Sequence, residues 1–99
     1  MKVKPFYTYY VAHVIRQYFA DVQPTTPTKA YVLNFEAAQR IITARPQQEQ
    51  QMFKELYAGY GPISGKVDMI ADKYGLTREE VWNRITELER RVAQERVLI

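Results

Sequence analysis

The sequence predicts an all-α fold, a compact bundle of about five helices with a long last helix, and three observations lead there. Apolar residues recur at intervals of three and four through every long segment, the period of one helix face, and nowhere alternate as a half-buried strand would. Proline and glycine punctuate the chain at Pro24 and Pro27, Pro46, Gly59 to Pro62, and Gly75, leaving stretches of helical length between them. At 99 residues, 46% hydrophobic and 25% charged, the chain is apolar enough to build a core and short enough for one domain. Within residues 1–99 the expected order is an aromatic N-terminal helix (1–23), a Pro/Thr linker (24–28), two core helices (29–61) and a final two-helix unit (64–97).

Pro5 suits the first turn of a helix, where a missing N–H costs nothing. From there Phe6, Tyr10, Val14, Tyr18 and Val22 repeat every four residues, widened by Tyr9, Ile15 and Phe19. This stripe is expected to be core, with tyrosine hydroxyls reaching water. His13 lies beside it with no nearby partner and reads as a partly buried structural residue, not a ligand. The second helix can be capped by Thr28 or by Asn34; Tyr31, Phe35, Ala38, Ile41 and Ile42 form its apolar face. Pro46 suits the first position of a third helix. There Met52, Phe53, Leu56, Tyr57 and Tyr60 line one side, and Gln47, Gln48, Glu49, Gln50 and Gln51 are expected to face solvent.

The final unit is the most informative. Ser64 can cap a short helix carrying Val67, Ile70, Ala71 and Tyr74. Gly75 then supplies the left-handed backbone angle that ends a helix tightly, since it has no Cβ to clash. Leu76 plugs the gap, and Thr77-Arg78-Glu79-Glu80 has the form of a capping box, in which threonine and glutamate satisfy each other's orphan N–H groups. Val81, Ile85, Leu88 and Val92 run down one face of the last helix. Two helices crossing steeply through a short turn need a small residue at the contact, glycine at the bend and an apolar wedge in the second helix. Ala71, Gly75 and Val81 meet those needs, so residues 69–86 read as a helix-turn-helix. A pair of core helices with a glycine cap and no ligand would use the same turn chemistry.

Composition excludes several classes. With no cysteine there is no disulfide or thiolate metal site, and a lone His13 argues against zinc, so no metal and no cofactor are expected. No run approaches the roughly 20 apolar residues of a membrane span, and the basic start Met1-Lys2-Val3-Lys4 leads into tyrosines rather than a signal-peptide core, which points to a cytoplasmic protein. Paired carboxylates in apolar settings, nucleophile–base pairs and phosphate loops are all missing, so an enzyme is not expected. The net charge of +3 favours polyanions. Residues 1–61 carry that whole excess, because in residues 62–99 the lysines and arginines are balanced by carboxylates.

The run Ile70-Ala71-Asp72-Lys73-Tyr74-Gly75-Leu76-Thr77-Arg78-Glu79-Glu80-Val81 resembles the helix-turn-helix in the C-terminal domain (region 4) of bacterial sigma factors. Arg45-Pro46, a polar stretch and Phe53-Lys54-Glu55-Leu56-Tyr57 resemble that domain's preceding helix, so the likeness covers about residues 37–92. The whole chain also resembles small uncharacterised proteins of prophages and integrative elements of Gram-positive bacteria.

The resemblance implies a recognition helix starting at Arg78 that enters the major groove of double-stranded DNA. Arg78, Glu79 and Asn83 stand where the family reads bases, by guanine, cytosine and adenine chemistry respectively. Lys66 and Lys73 would hold phosphates, with Thr77 and Arg84 flanking the site. Trp82 departs from the family, which usually has a basic residue there, and is expected to pack against the N-terminal aromatics.

The expected function is therefore a DNA-binding transcriptional regulator or sigma-like accessory factor of a phage or mobile element. The alternative is a protein-interaction module or inhibitor of a host protein such as RNA polymerase or a defence nuclease, in the manner of an anti-CRISPR. The 4-3 spacing of Val81, Ile85, Leu88, Val92 and Ile99 allows a homodimer. Trp82, Leu88, Val92 and Ile99 would then be the protein interface.

Overall fold

A computed structural model describes residues 5–59 and 61–98. Among them the chain is all-α, with α1 (Thr8–Phe19), α2 (Lys29–Thr43), α3 (Gln47–Tyr57), a single 3₁₀ turn (Ile63–Gly65), α4 (Val67–Tyr74) and α5 (Arg78–Glu95). α1 packs on α2, α3 and α5, while α4 packs on α3 and α5. The long last helix therefore packs in two places at once, against α1 and α2 and against α4, which in turn rests on α3.

α1 is rotated relative to the expected stripe. Its buried face is Tyr7, Val11, Val14 and Ile15, with Tyr18 half-buried beside them. Phe6 (81% exposed), Tyr9 (76%) and Val22 (85%) stand in solvent, and Tyr10 is partly exposed. With aromatics on every side of the segment, two stripes satisfy the helical period. Packing against α2, α3 and α5 selects between them, and Val22 lies beyond α1, which runs only from Thr8 to Phe19. His13 is exposed, not partly buried.

Thr28 caps α2, its Oγ1 accepting from the Tyr31 N–H at 3.1 Å. Asn34 instead lies inside α2, where it is 7% exposed and ties three elements together. Its amide donates to the Tyr10 hydroxyl (2.9 Å), and its Oδ1 accepts from Arg96 Nε (2.6 Å) just past the end of α5. A buried amide is tolerated because both its ends are satisfied.

The core is one continuous cluster. Phe53, Leu56 and Met52 of α3 meet Val67 and Ile70 of α4, Val81, Leu88 and Val92 of α5, and the α1 and α2 faces. Leu88 and Val92 are wholly buried within the single chain, so they serve its core and are not available to a partner. Tyr60 and Ile99 lie outside the described residues. One polar pair is sealed inside: the Tyr57 hydroxyl donates to Glu89 Oε2 at 2.7 Å, with Tyr57 1% and Glu89 6% exposed. Burial, then the neighbouring carboxylate, pushes the Tyr57 hydroxyl well above its ordinary value.

Two expectations about polar residues are corrected. Ser64 sits in the 3₁₀ turn and does not cap α4, which follows Lys66 with no side-chain cap. The start of α3 is not uniformly solvated either. Gln50 donates to the Arg45 carbonyl (2.7 Å), and Glu49 is half-buried between Arg45 (3.5 Å) and Arg84 (3.3 Å). Arg45 also reaches Glu87 at 3.3 Å, so these ion pairs join the start of α3 to α5.

Candidate nucleic-acid interface

The bend between α4 and α5 is made as the residue types require. Gly75 is left-handed (φ +67°, ψ 33°), a region that costs an L side chain about 1–2 kcal/mol. Its N–H donates to the Asp72 carbonyl (3.4 Å) and the Leu76 N–H to Ala71 (2.9 Å), the bond pair of a Schellman motif that satisfies the last carbonyls of α4. Leu76 is half-buried against the core. Thr77 then turns extended, and its Oγ1 accepts the Glu80 N–H at 3.1 Å. Its hydroxyl also meets Glu80 Oε1 at 3.2 Å, so the glutamate supports the cap through the threonine side chain. Ala71 and Val81 are buried where the two helices touch.

This geometry turns the start of α5 outward. Arg78, Glu79, Glu80 and Asn83 are exposed, while Val81 and Ile85 anchor the opposite side. Arg78, Glu79 and Asn83, the three expected base readers, are therefore all exposed, Glu79 and Asn83 on one face and Arg78 at the leading end of the helix. Trp82 lies half-buried against the core and faces the α1 side.

The cations are less available than their sequence positions imply. Lys66 is held away from any groove, its Nζ donating to the carbonyls of Ala58 (3.0 Å) and Leu56 (3.4 Å), where it completes the end of α3. Lys73 pairs with Glu55, Arg84 with Glu49 (3.3 Å), and Arg78 loosely with Asp68 (3.8 Å). Thr77 is spent on its cap. The surrounding exposed acids are Asp68 and Asp72 of α4 and Glu79, Glu80 and Glu87 of α5. Sequence reasoning missed the roles of Glu49, Glu55 and Asp68. Glu49 lies 35 positions from Arg84 and Glu55 lies 18 from Lys73, separations at which no local pattern reports a pairing.

Glu55 also accepts from the Tyr74 hydroxyl. Its carboxyl is held below the usual 4.5, first by the Lys73 bond and then by Tyr74. The stabilisation this gives is present above about pH 4.5 and is lost as pH falls below it. Tyr74 is pushed the other way, up to about 12 from 10.0, first by desolvation and then by its bond to Glu55. Because the neutral form is favoured in the fold, that contribution is complete below pH 10 and disappears as pH rises toward 12. Thermal melts from pH 9 to 12 should show a steeper alkaline decline for the native chain than for Tyr74→Phe; parallel curves would contradict this role for the pair.

Comparison with family models, curated proteins and solved structures finds no match to this chain.

Proposed function

We propose that this chain is a small DNA-docking helix-turn-helix protein, a transcriptional regulator or sigma-like accessory factor that acts by groove contact without chemistry. One observation carries the reading: a Schellman-closed bend at Gly75 leaves Arg78, Glu79 and Asn83 all exposed in the first turns of α5, backed by the buried face of that helix. Those side-chain types can address guanine, cytosine and adenine in the major groove.

The ion pairs set the expected strength. Arg78, Lys73 and Arg84 must exchange Asp68, Glu55 and Glu49 for phosphates; the exposed Arg78–Asp68 pair is worth about 0–1 kcal/mol, and the Lys73 and Arg84 pairs, whose carboxylates are partly buried, cost more to break. The exchange is possible but gains little. With about three phosphates neutralised, the logarithm of affinity should fall with a slope near −3 against the logarithm of salt.

The test is an electrophoretic shift with fragments of the source genome at low salt. A shifted fragment should lose at least about 30-fold in affinity when Arg78 and Asn83 are both changed to alanine, since each base contact is worth about 1–3 kcal/mol. Undiminished binding by the double variant removes these residues as readers, and no shift of any fragment removes DNA as the ligand.

A second reading, a protein-interaction module, draws on two specific features. The exposed carboxylates Asp68, Asp72, Glu79, Glu80 and Glu87 surround the open edge, and Phe6, just before α1, and Tyr9, on it, stand exposed. Aromatic anchors dominate many protein interfaces. Binding that persists with little change as salt rises favours this reading over DNA.

A further inference from the structure

A duplex is held through its phosphates, so a cation near the base readers counts for most when nothing else occupies it. Among the described residues, the exposed cations that make no ion pair are Lys29 of α2, Lys54 of α3, and Arg90 and Arg91 of α5. Only the two arginines lie on the helix that carries Arg78, Glu79 and Asn83.

Direction separates them. With about 100° of turn per residue, Arg90 points within about 20° of Asn83, between the directions of Asn83 and Glu79. It stands two turns further on, about 10 Å along the axis. Arg91 points about 80° away from Asn83 and has Glu87 and Glu95 four residues before and after it. Arg45 and Arg40 hold those carboxylates, yet their charge still lies beside Arg91. Arg90 has the neutral Thr86 and Gln94 at the same offsets, and Glu87, three residues before it, is the carboxylate that Arg45 holds. Its guanidinium makes no side-chain hydrogen bond among the described residues, so five donors face solvent on the reading side of α5.

We propose that Arg90 holds a backbone phosphate of the docked duplex, a positioning contact that reads no base. Leading residues of a recognition helix meet base edges, and the major groove is only about 8.5 Å deep. A straight helix cannot follow a groove that winds around the duplex, so two turns beyond Asn83 it has risen to the level of the backbone. Lys73, Arg78 and Arg84 must each leave a carboxylate to reach a phosphate, and Arg90 leaves none. The contact rests on the DNA-docking reading and deepens it. It adds one phosphate to the three counted above and steepens the expected salt slope by about 0.9.

Salt titrations of two duplexes decide the matter: a genomic fragment that the native chain shifts, and an unrelated duplex of equal length. Arg90→Gln should weaken both by the same factor, about tenfold at low salt, and flatten the slope by about 0.9. Arg90→Lys keeps the charge and should recover the slope. Lys29→Gln removes an equally exposed, unpaired cation at the start of α2, a helix that meets α5 at the far end through Arg96 and Glu95. It should stay within about twofold on both duplexes, because a charge more than about 10 Å away is screened. Circular dichroism should show native helix in all three variants, since both positions are exposed.

Unchanged affinity and slope in Arg90→Gln, with the native chain binding, overturns this contact and leaves the docking reading standing. A loss confined to the genomic fragment overturns it too, because Arg90 then reads a base. An equal loss in Lys29→Gln has the same force, as the mark of a general charge effect. If the native chain binds neither duplex at low salt, the docking reading falls and this contact falls with it.

Discussion

Leu88→Ala is expected to destabilise the folded chain by about 2–5 kcal/mol. Leu88 is fully buried at the middle of α5, the helix that packs against α1, α2 and α4, so the vacated volume cannot be closed by moving one element alone. Domains of this size are stable by about 5–15 kcal/mol in total, so the change removes a large share and should lower the melting temperature by about 8–40 °C. The same variant separates two roles for the apolar repeat of α5. If Leu88 served a dimer seam, the loss would depend on protein concentration and the monomer would stay folded. Because Leu88 and Val92 belong to the core, denaturant midpoints of native chain and variant should differ by the same amount at every concentration.

The second large effect concerns the sealed pair of Tyr57 and Glu89. Tyr57→Phe keeps the ring and removes only the donor, leaving a buried carboxylate with one hydrogen bond fewer. Hydrogen bonds to charged groups are worth about 1.5–3 kcal/mol, and the cost of leaving the charge under-satisfied in the interior places this variant toward the upper end. A loss below about 0.5 kcal/mol for Tyr57→Phe, measured by urea unfolding, would mean that the hydrogen bond carries little of the stability.

These two cases mark where the sequence was legible. Val81, Ile85, Leu88 and Val92 could be assigned to one face from their spacing, and the bend at Gly75 from its residue type, because both signals are local. The α1 face could not, since Phe6, Tyr9 and Tyr10 offer as good a helical stripe as Tyr7, Val11, Val14 and Ile15, and only contact with the other helices selects between them. Asn34 looked like a cap and is instead a buried bridge whose partners, Tyr10 and Arg96, lie 24 and 62 positions away. At the candidate interface the exposure of Arg78, Glu79 and Asn83 was readable, but the occupation of Lys66 by the end of α3 was not. Carbonyls at a helix end are identical in every sequence, and only the fold decides which lysine reaches them.

The length of α5 follows from its several roles in the fold. Its first turn faces outward, its middle closes the core through Leu88, and its end is fixed by the Arg96–Asn34 and Arg40–Glu95 contacts. Contact at the leading edge is thus mounted on an element anchored along its length, which favours a fixed presentation of Arg78 and Asn83 over an adaptable one.

The most direct measurement is the backbone amide spectrum of the labelled chain by nuclear magnetic resonance, recorded at low salt with and without duplex DNA. The DNA-docking reading predicts that shifts concentrate at Thr77, Arg78, Glu79 and Asn83, with the amides of Leu88 and Val92 unmoved. Shifts confined to the exposed aromatic side of α1, or a spectrum that DNA leaves unchanged, would contradict it.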